Sequence, residues 1–248
     1  MSVYSGCKNN FYITNYKKEY DSSEYARSIC QDKLDGFMLV KTNPLEMLLY
    51  NRDGSIASMC GNGIRCFINY CYDHNLLDDD VNIVKTPSGD IYTKIESVAP
   101  FLVKLHITKP HYIYIDGKEY LNELIEVNNH KYYISLVNTG VWHGIIIPDN
   151  FDECISDAKD IHNLKLFKDL LNVDIVKISD NKVFLKTYER GIGFTKACGT
   201  GTAATFVILS KMGLIKNNEE EIHQEGGIVS AGVDDGNIYI IGPSICEE

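Results

Sequence analysis

The sequence contains no apolar run that approaches the length of a membrane-spanning helix, so a helical membrane protein is not expected. It has no basic run longer than Lys17-Lys18, and its formal net charge is −10. Neither nucleic acid nor an anionic membrane surface is therefore an expected partner. The opening residues, Met1 to Lys8, carry neither the basic nor the apolar region of a signal peptide, and the expected location is the cytoplasm. No two of the eight cysteines form a C-x-x-C pair. Cys60, Cys66 and Cys71 are six and five residues apart, a spacing that argues against zinc. In a reducing compartment these thiols are expected to be free. Cofactor signatures are missing too. Gly61-Asn62-Gly63-Ile64-Arg65-Cys66 lacks the third glycine of a dinucleotide fingerprint, and no glycine-rich turn ends in Gly-Lys-Ser/Thr.

What the sequence does have is an internal echo. Tyr50-Asn51-Arg52-Asp53-Gly54 is followed, nine residues after Asn51, by Cys60-Gly61-Asn62-Gly63. Tyr188-Glu189-Arg190-Gly191 is followed, nine residues after Glu189, by Cys198-Gly199-Thr200-Gly201. Ser88-Gly89 and Gly226-Gly227 both end 29 residues past their cysteine. With 248 residues and 44% hydrophobic content, the chain can bury a sizeable core, and the repeat favours two domains, 1–111 and 112–248, with a return of the last strand to the first domain left open.

Short β-rich runs recur between Gly, Asn and Asp turns, among them Phe37–Val40, Leu45–Tyr50, Val81–Val84, Phe101–Ile107, Tyr132–Val137, Lys182–Tyr188 and Asn237–Ile241. Asp116-Gly117 signals a hairpin turn. Helices are few. Ile64, Phe67, Ile68 and Cys71 mark one apolar helical face, whereas Ala203–Met212 is apolar nearly all round. A helix is expected to start at Asp21-Ser22-Ser23, and Asp152–Leu171 is expected to be helical in part, with a break at His162-Asn163. The expected fold class is α/β (α+β): two sheets, each wrapped on a central helix that begins at a Cys-Gly-x-Gly turn.

Such a turn has chemical consequences. The first N–H groups of a helix have no partner within it and lie at the positive end of the dipole, where they bind an anion such as a carboxylate. The same dipole favours a thiolate, lowering a cysteine from its usual value of about 8.5. Two such ends gripping one carboxylate would set a thiol on each side of the adjacent carbon: one takes the α-proton as general base, the other returns a proton as general acid. A cysteine protease would need one Cys with a His partner, and His143 is the only tempting candidate; that scheme leaves the second Cys-Gly-x-Gly unexplained. A pair of cysteines buried only for packing is the bland alternative, and two at matching registers make it the weaker one. Cys66 and Cys71 are read as packing residues, and His143 as a hydrogen-bonded wall of the site rather than a base.

Met59-Cys60-Gly61-Asn62-Gly63-Ile64-Arg65-Cys66-Phe67, and Tyr188-Glu189-Arg190-Gly191 leading to Ala197-Cys198-Gly199-Thr200-Gly201, strongly resemble the two signature segments of the diaminopimelate epimerase family. Gly6-Cys7-Lys8-Asn9-Asn10-Phe11, Asp35-Gly36, Tyr50–Ser55, Asn138-Thr139-Gly140 with His143, and Gly226-Gly227 extend the likeness over nearly the whole chain. The resemblance implies two pseudo-symmetric domains and interconversion of LL- and meso-diaminopimelate, without cofactor or metal, in lysine and cell-wall synthesis. It implies Cys60 and Cys198 as the acid/base thiols. Backbone N–H groups of Gly61, Asn62, Gly199 and Thr200 would hold the reacting carboxylate, and Asn9 would lie near the reacting amino group. Asn51, Asn172, Glu189 and Arg190 would recognise the distal end. A homodimer is what the family suggests. Three departures stand out: Val141-Trp142-His143 replaces Asn-Pro-His, Lys8-Asn9-Asn10 replaces Gly-Asn-Asp, and the sequence stops soon after Gly242-Pro243. The second of the expected activities is a racemase of another amino acid, such as histidine, suggested by Val141-Trp142. A third, from a different class, is a non-catalytic binder of a zwitterion.

Overall fold

The structure, a computed structural model, describes residues 2–16, 21–30 and 33–247; Lys17 and Lys18 lie outside them. By packing, the chain divides into two compact units, Met1–His106 with Ile241–Glu248, and Ile107–Ile240.

In the first unit, strand Asn9–Asn15 runs antiparallel to Ser2–Gly6 and parallel to Gly36–Thr42. A parallel neighbour requires a crossover, and helix α1 (Ser22–Ile29) lies in it. Asp21 caps α1 as its composition predicts, accepting from the N–H groups of Ser23 and Glu24. Gly36–Thr42 then pairs antiparallel with Leu45–Asn51, which lies parallel to Val81–Thr86. Between those two strands comes helix α2 (Gly61–Asp73), followed by the meander Val81–Thr86, Gly89–Val98 and Phe101–His106. The final strand, Ile245–Glu247, pairs with Ser2–Gly6.

The spacing of Ile64, Phe67, Ile68 and Cys71 predicts one buried face on α2. Instead every residue from Asn62 to Cys71 is buried. The reason is that α2 touches strands on several sides, including Ser2–Gly6, Asn9–Asn15, Phe101–His106 and Ile245–Glu247. It is the unit's central helix.

The second unit repeats the scheme. Strand Trp142–Ile146 runs parallel to Leu171–Ser179, with helix α3 (Phe151–His162) in the crossover. Lys182–Glu189 pairs antiparallel with Leu171–Ser179 and parallel with Glu219–Gln224, and helix α4 (Gly199–Lys211) fills that crossover. As its all-round apolarity predicts, α4 is buried continuously from Gly201 to Leu209. The helix expected over part of Asp152–Leu171 ends at His162, with Asn163 as its cap, so the interruption there is real. Leu171 itself begins a strand. Lys168 and Asp169 take left-handed φ values of 52° and 57°, which no helix continues through. At Asp116-Gly117 both residues have positive φ, 51° and 78°, in the tight turn between Tyr114–Ile115 and Lys118–Glu119.

Candidate active site

In the first unit, Cys60 is the N-cap of α2: its backbone is extended, and its sulfur accepts the N–H of Gly63 at 3.4 Å. Gly63 is buried, and a Cβ there would press on the Met38 methyl at 3.2 Å. Cys60 itself stays partly exposed. Next to it, the Asn62 side chain is fixed from both ends. Its oxygen accepts from the Arg65 guanidinium at 2.7 Å, and its NH2 donates to the side-chain oxygen of Asn9. Asn9 reaches on to the Asp35 carboxylate at 3.4 Å, and Asp35 pairs with Arg52 at 2.7 Å. Asn51 is exposed at a strand end, where its NH2 donates to Ser55 at 3.0 Å. This turn closes through Gly54 (φ +81°), whose missing Cβ would lie 2.6 Å from the Ser23 carbonyl. Asn9, Asn62 and Cys60 thus belong to one polar cluster at the head of α2, and Asn51 lies in the neighbouring turn.

In the second unit, Cys198 caps α4 in the same way, its sulfur accepting the Gly201 N–H at 3.3 Å and lying 3.4 Å from the Thr200 hydroxyl. The Cys198 N–H is taken by the Gln224 side chain at 2.8 Å, and that amide in turn donates to Thr202 at 2.9 Å. The expectation that the helix end lowers both thiols meets a correction here. Burial pushes Cys198 well above the ordinary thiol value, and the Glu189 and Asp174 carboxylates push it the same way; Thr200 and the Gly201 N–H offset only part.

Behind Cys198 runs a buried chain. Asp174 and His143 are both fully buried, with the Asp174 carboxylate 2.6 Å from His143 Nδ1. His143 Nε2 lies 2.9 Å from the Thr200 hydroxyl, and Thr187 donates to the other Asp174 oxygen at 2.7 Å. His143 is thus a buried, hydrogen-bonded member of this chain. The arrangement also explains Gly201: a Cβ there would sit 2.6 Å from Asp174 Oδ1 and 3.0 Å from Thr187 Oγ1. Asn172 lies within a strand, and its oxygen accepts the Arg190 N–H at 2.8 Å. Glu189 accepts from Thr195 at 2.6 Å, and the Arg190 side chain is exposed. Trp142 packs against this unit's own core.

Sequence reasoning missed Gln224, Asp174, Thr187 and the burial of Arg65. For Asp174 a signal existed: a carboxylate in the apolar run Val173-Asp174-Ile175-Val176, every member of which is buried. Burial pushes Cys66 and Cys71 up to about 12, as expected of packing thiols. Among the described residues, no group of three or more His, Cys, Asp or Glu side chains is arranged to hold a metal, and no helix is long and apolar enough to cross a membrane.

Comparison with known proteins gives a consistent picture. The family model described as diaminopimelate epimerase matches residues 1–113 and 135–245. The chain is 33% identical to the diaminopimelate epimerase of Alkaliphilus metalliredigens, over 98% of this chain and 94% of the relative. It is 32% identical to that of Clostridium perfringens, over 95% of this chain and 93% of the relative. Among solved structures, it resembles a phenazine biosynthesis protein of the PhzF family from Bacillus anthracis (TM-score 0.74, 16% identity, covering 100% and 98% of the two chains). It also resembles a probable proline racemase from Agrobacterium radiobacter (TM-score 0.73, 10% identity, covering 99% and 90%). At such identities these structures speak to the fold alone.

Proposed function

The chain belongs to the diaminopimelate epimerase family, and from that premise we propose that it epimerises LL-diaminopimelate to meso-diaminopimelate with two thiols as its acid and base. The observation that carries this reading is the shared N-cap position of Cys60 and Cys198. Ser, Thr, Asp or Asn caps a helix better than sulfur does, so cysteine in both places is spent on something other than helix stability. A thiol gives and takes a proton readily near neutral pH, and a carbon acid needs such a partner on each face.

One cysteine removes the α-proton as thiolate while the other returns a proton as thiol. The scheme requires no cofactor. Negative charge spreading onto the substrate carboxylate in the transition state is met by the N–H groups of Gly61, Asn62, Gly199 and Thr200. Asn9 binds the reacting amino group. Asn51, Asn172, Glu189 and Arg190 recognise the distal amino-acid end, where Arg190 pairs a carboxylate through its planar fork and Glu189 an ammonium. Trp142, which suggested a different amino acid, is partly buried against the core of its unit, and that packing accounts for it without a change of substrate. The protein acts in the cytoplasm as a homodimer; light scattering on the purified chain tests the second point.

The deciding experiment incubates LL-diaminopimelate and a panel of other L-amino acids with the enzyme in D2O and follows the α-proton by NMR. Deuterium should enter diaminopimelate as the meso isomer appears. Exchange into histidine with none into diaminopimelate would overturn the substrate assignment. Cys60→Ala and Cys198→Ala should each cut epimerisation by at least about a hundredfold, and full activity in either variant would remove that thiol from the reaction.

A further inference from the structure

Arg65 heads the fully buried side chains of the described residues by volume, at 0% exposure. It lies on α2 five residues after Cys60, and a long helical side chain leans back toward its own N-terminus. There its guanidinium meets the first turn. One terminal nitrogen donates to Asn62 Oδ1 at 2.7 Å and to the Cys7 sulfur at 3.3 Å, and Nε donates to the Pro243 carbonyl at 3.2 Å. The other terminal nitrogen is buried with no hydrogen-bond partner among the described residues. None of these partners is a carboxylate.

Two stability rules are broken by this one residue. A buried charge without a countercharge is costly, and a cation near the N-terminus stands at the wrong end of the helix dipole. Residues that break local rules without visible compensation tend to serve a function. The matching position in the repeat, five after Cys198, is Ala203. Near Cys198 the neighbouring charges are anionic: Asp174 and Glu189. The head of α2 holds the Arg65 cation, linked through Asn62 and Asn9 to the Asp35–Arg52 pair, whereas the charges that act on Cys198 are carboxylates.

We propose that Arg65 is a positioning residue for the reaction: the resident cation of the α2 N-terminus, which holds Cys60 as the thiolate of the resting enzyme. Cys60 is then the first base and Cys198 the first acid. This deepens the two-thiol reading and rests on it. In one turnover the Cys60 thiolate takes the α-proton and becomes a thiol, while Cys198 gives its proton to the opposite face and becomes a thiolate. Rest is restored when Cys60 loses a proton to water and Cys198 gains one from water. Arg65 also fixes the amide of Asn62, so that its NH2 faces Asn9.

The test measures iodoacetamide alkylation of Cys60 against pH in the native full-length protein, by peptide mass spectrometry, with the exposed Cys246 as the in-molecule control. In the wild type, the half-maximal rate at Cys60 should fall below the roughly 8.5 of an ordinary thiol. Arg65→Gln should raise it by about one pH unit, a tenfold loss of thiolate at fixed pH, and leave Cys246 unmoved. Arg65→Lys, which keeps the charge, should recover most of the shift, and kcat should follow the same order. A Cys60 profile unchanged in Arg65→Gln, or at or above the ordinary value in the wild type, overturns the proposal; the wild-type measurement can overturn it even if Arg65→Gln does not fold. Because alkylation needs no substrate, the expected shifts with no diaminopimelate exchange would support Arg65's role while sinking the substrate assignment. Diaminopimelate turnover with no shift would do the reverse.

Discussion

At the scale of single residues, position along the chain and chemical setting are separate matters. Cys60 and Cys198 occupy equivalent places, each capping a helix through its sulfur, yet one is partly exposed and the other buried beside carboxylates. The spacing of the two Cys-Gly-x-Gly turns reveals the equivalence; only the contacts reveal the difference. A second charged cluster, outside the site, makes a prediction of its own. Asp157 on α3 accepts from Tyr132 at 2.7 Å and from Asn128 at 2.8 Å, and His130 Nδ1 lies 2.6 Å away. Burial raises Asp157, but hydrogen bonds from Asn128, Tyr132 and His130 outweigh it and hold the carboxyl below its usual value of 3.8. The hydrogen bond to Asp157 raises His130 above its usual 6.5. The histidine's contribution to stability is therefore complete below about 6.5 and is lost as pH rises through its raised folded value; Asp157's is complete above about 3.8 and is lost as pH falls through its lowered one. Asp157→Asn should lower Tm more at pH 5.5 than at pH 8.5, as read by thermal melts across that range. An equal loss at both pH values would show that His130 takes no part.

At the scale of elements, the four helices were legible, and each of the seven β-rich runs falls on a strand, Ile107 alone lying past its end; other strands were not announced. Asp21, the Cys-Gly-x-Gly turns and Asn163 mark helix ends by local chemistry, which acts between neighbours in the chain. Strands such as Ser2–Gly6, Gly89–Val98, Leu171–Ser179 and Glu219–Gln224 are specified by their partners, and polar residues stand at buried positions in three of them: Ser5, Thr93, Asn172 and Asp174. The register of Leu171–Ser179 with Lys182–Glu189 brings Asp174 opposite Thr187, and α4 lies close enough that Gly201 must have no side chain. Gly201→Ala is expected to force Asp174 and Thr187 apart at a cost of about 1–3 kcal/mol, read by urea denaturation, with a fall in kcat because Thr200 and Cys198 sit on the same turn. Stability and rate both at wild-type values would mean that the helix shifts freely, contrary to its packing.

At the scale of the whole molecule, the closing residues matter beyond their number. Ile245–Glu247 adds a strand to Ser2–Gly6, and Arg65 donates to the carbonyl of Pro243 just before it. Deleting residues 245–248 should expose that edge of the first unit and lower Tm by several degrees, about 2–4 °C for each kcal/mol lost in a chain of this size; an unchanged melt would mean that the added strand contributes nothing. The sequence alone determined the repeat, the two helices that start at cysteine, the mixed α/β class and the family likeness, because hydrophobic period, turn chemistry and motif spacing are relations between neighbours along the chain. Tertiary structure alone decided that α2 is buried on every side, that Arg65 meets no carboxylate among the described residues, and that an Asp174–His143–Thr200 chain stands behind Cys198. A charge acts through space, and its effect depends on which distant strands exclude water from it and which partners they bring.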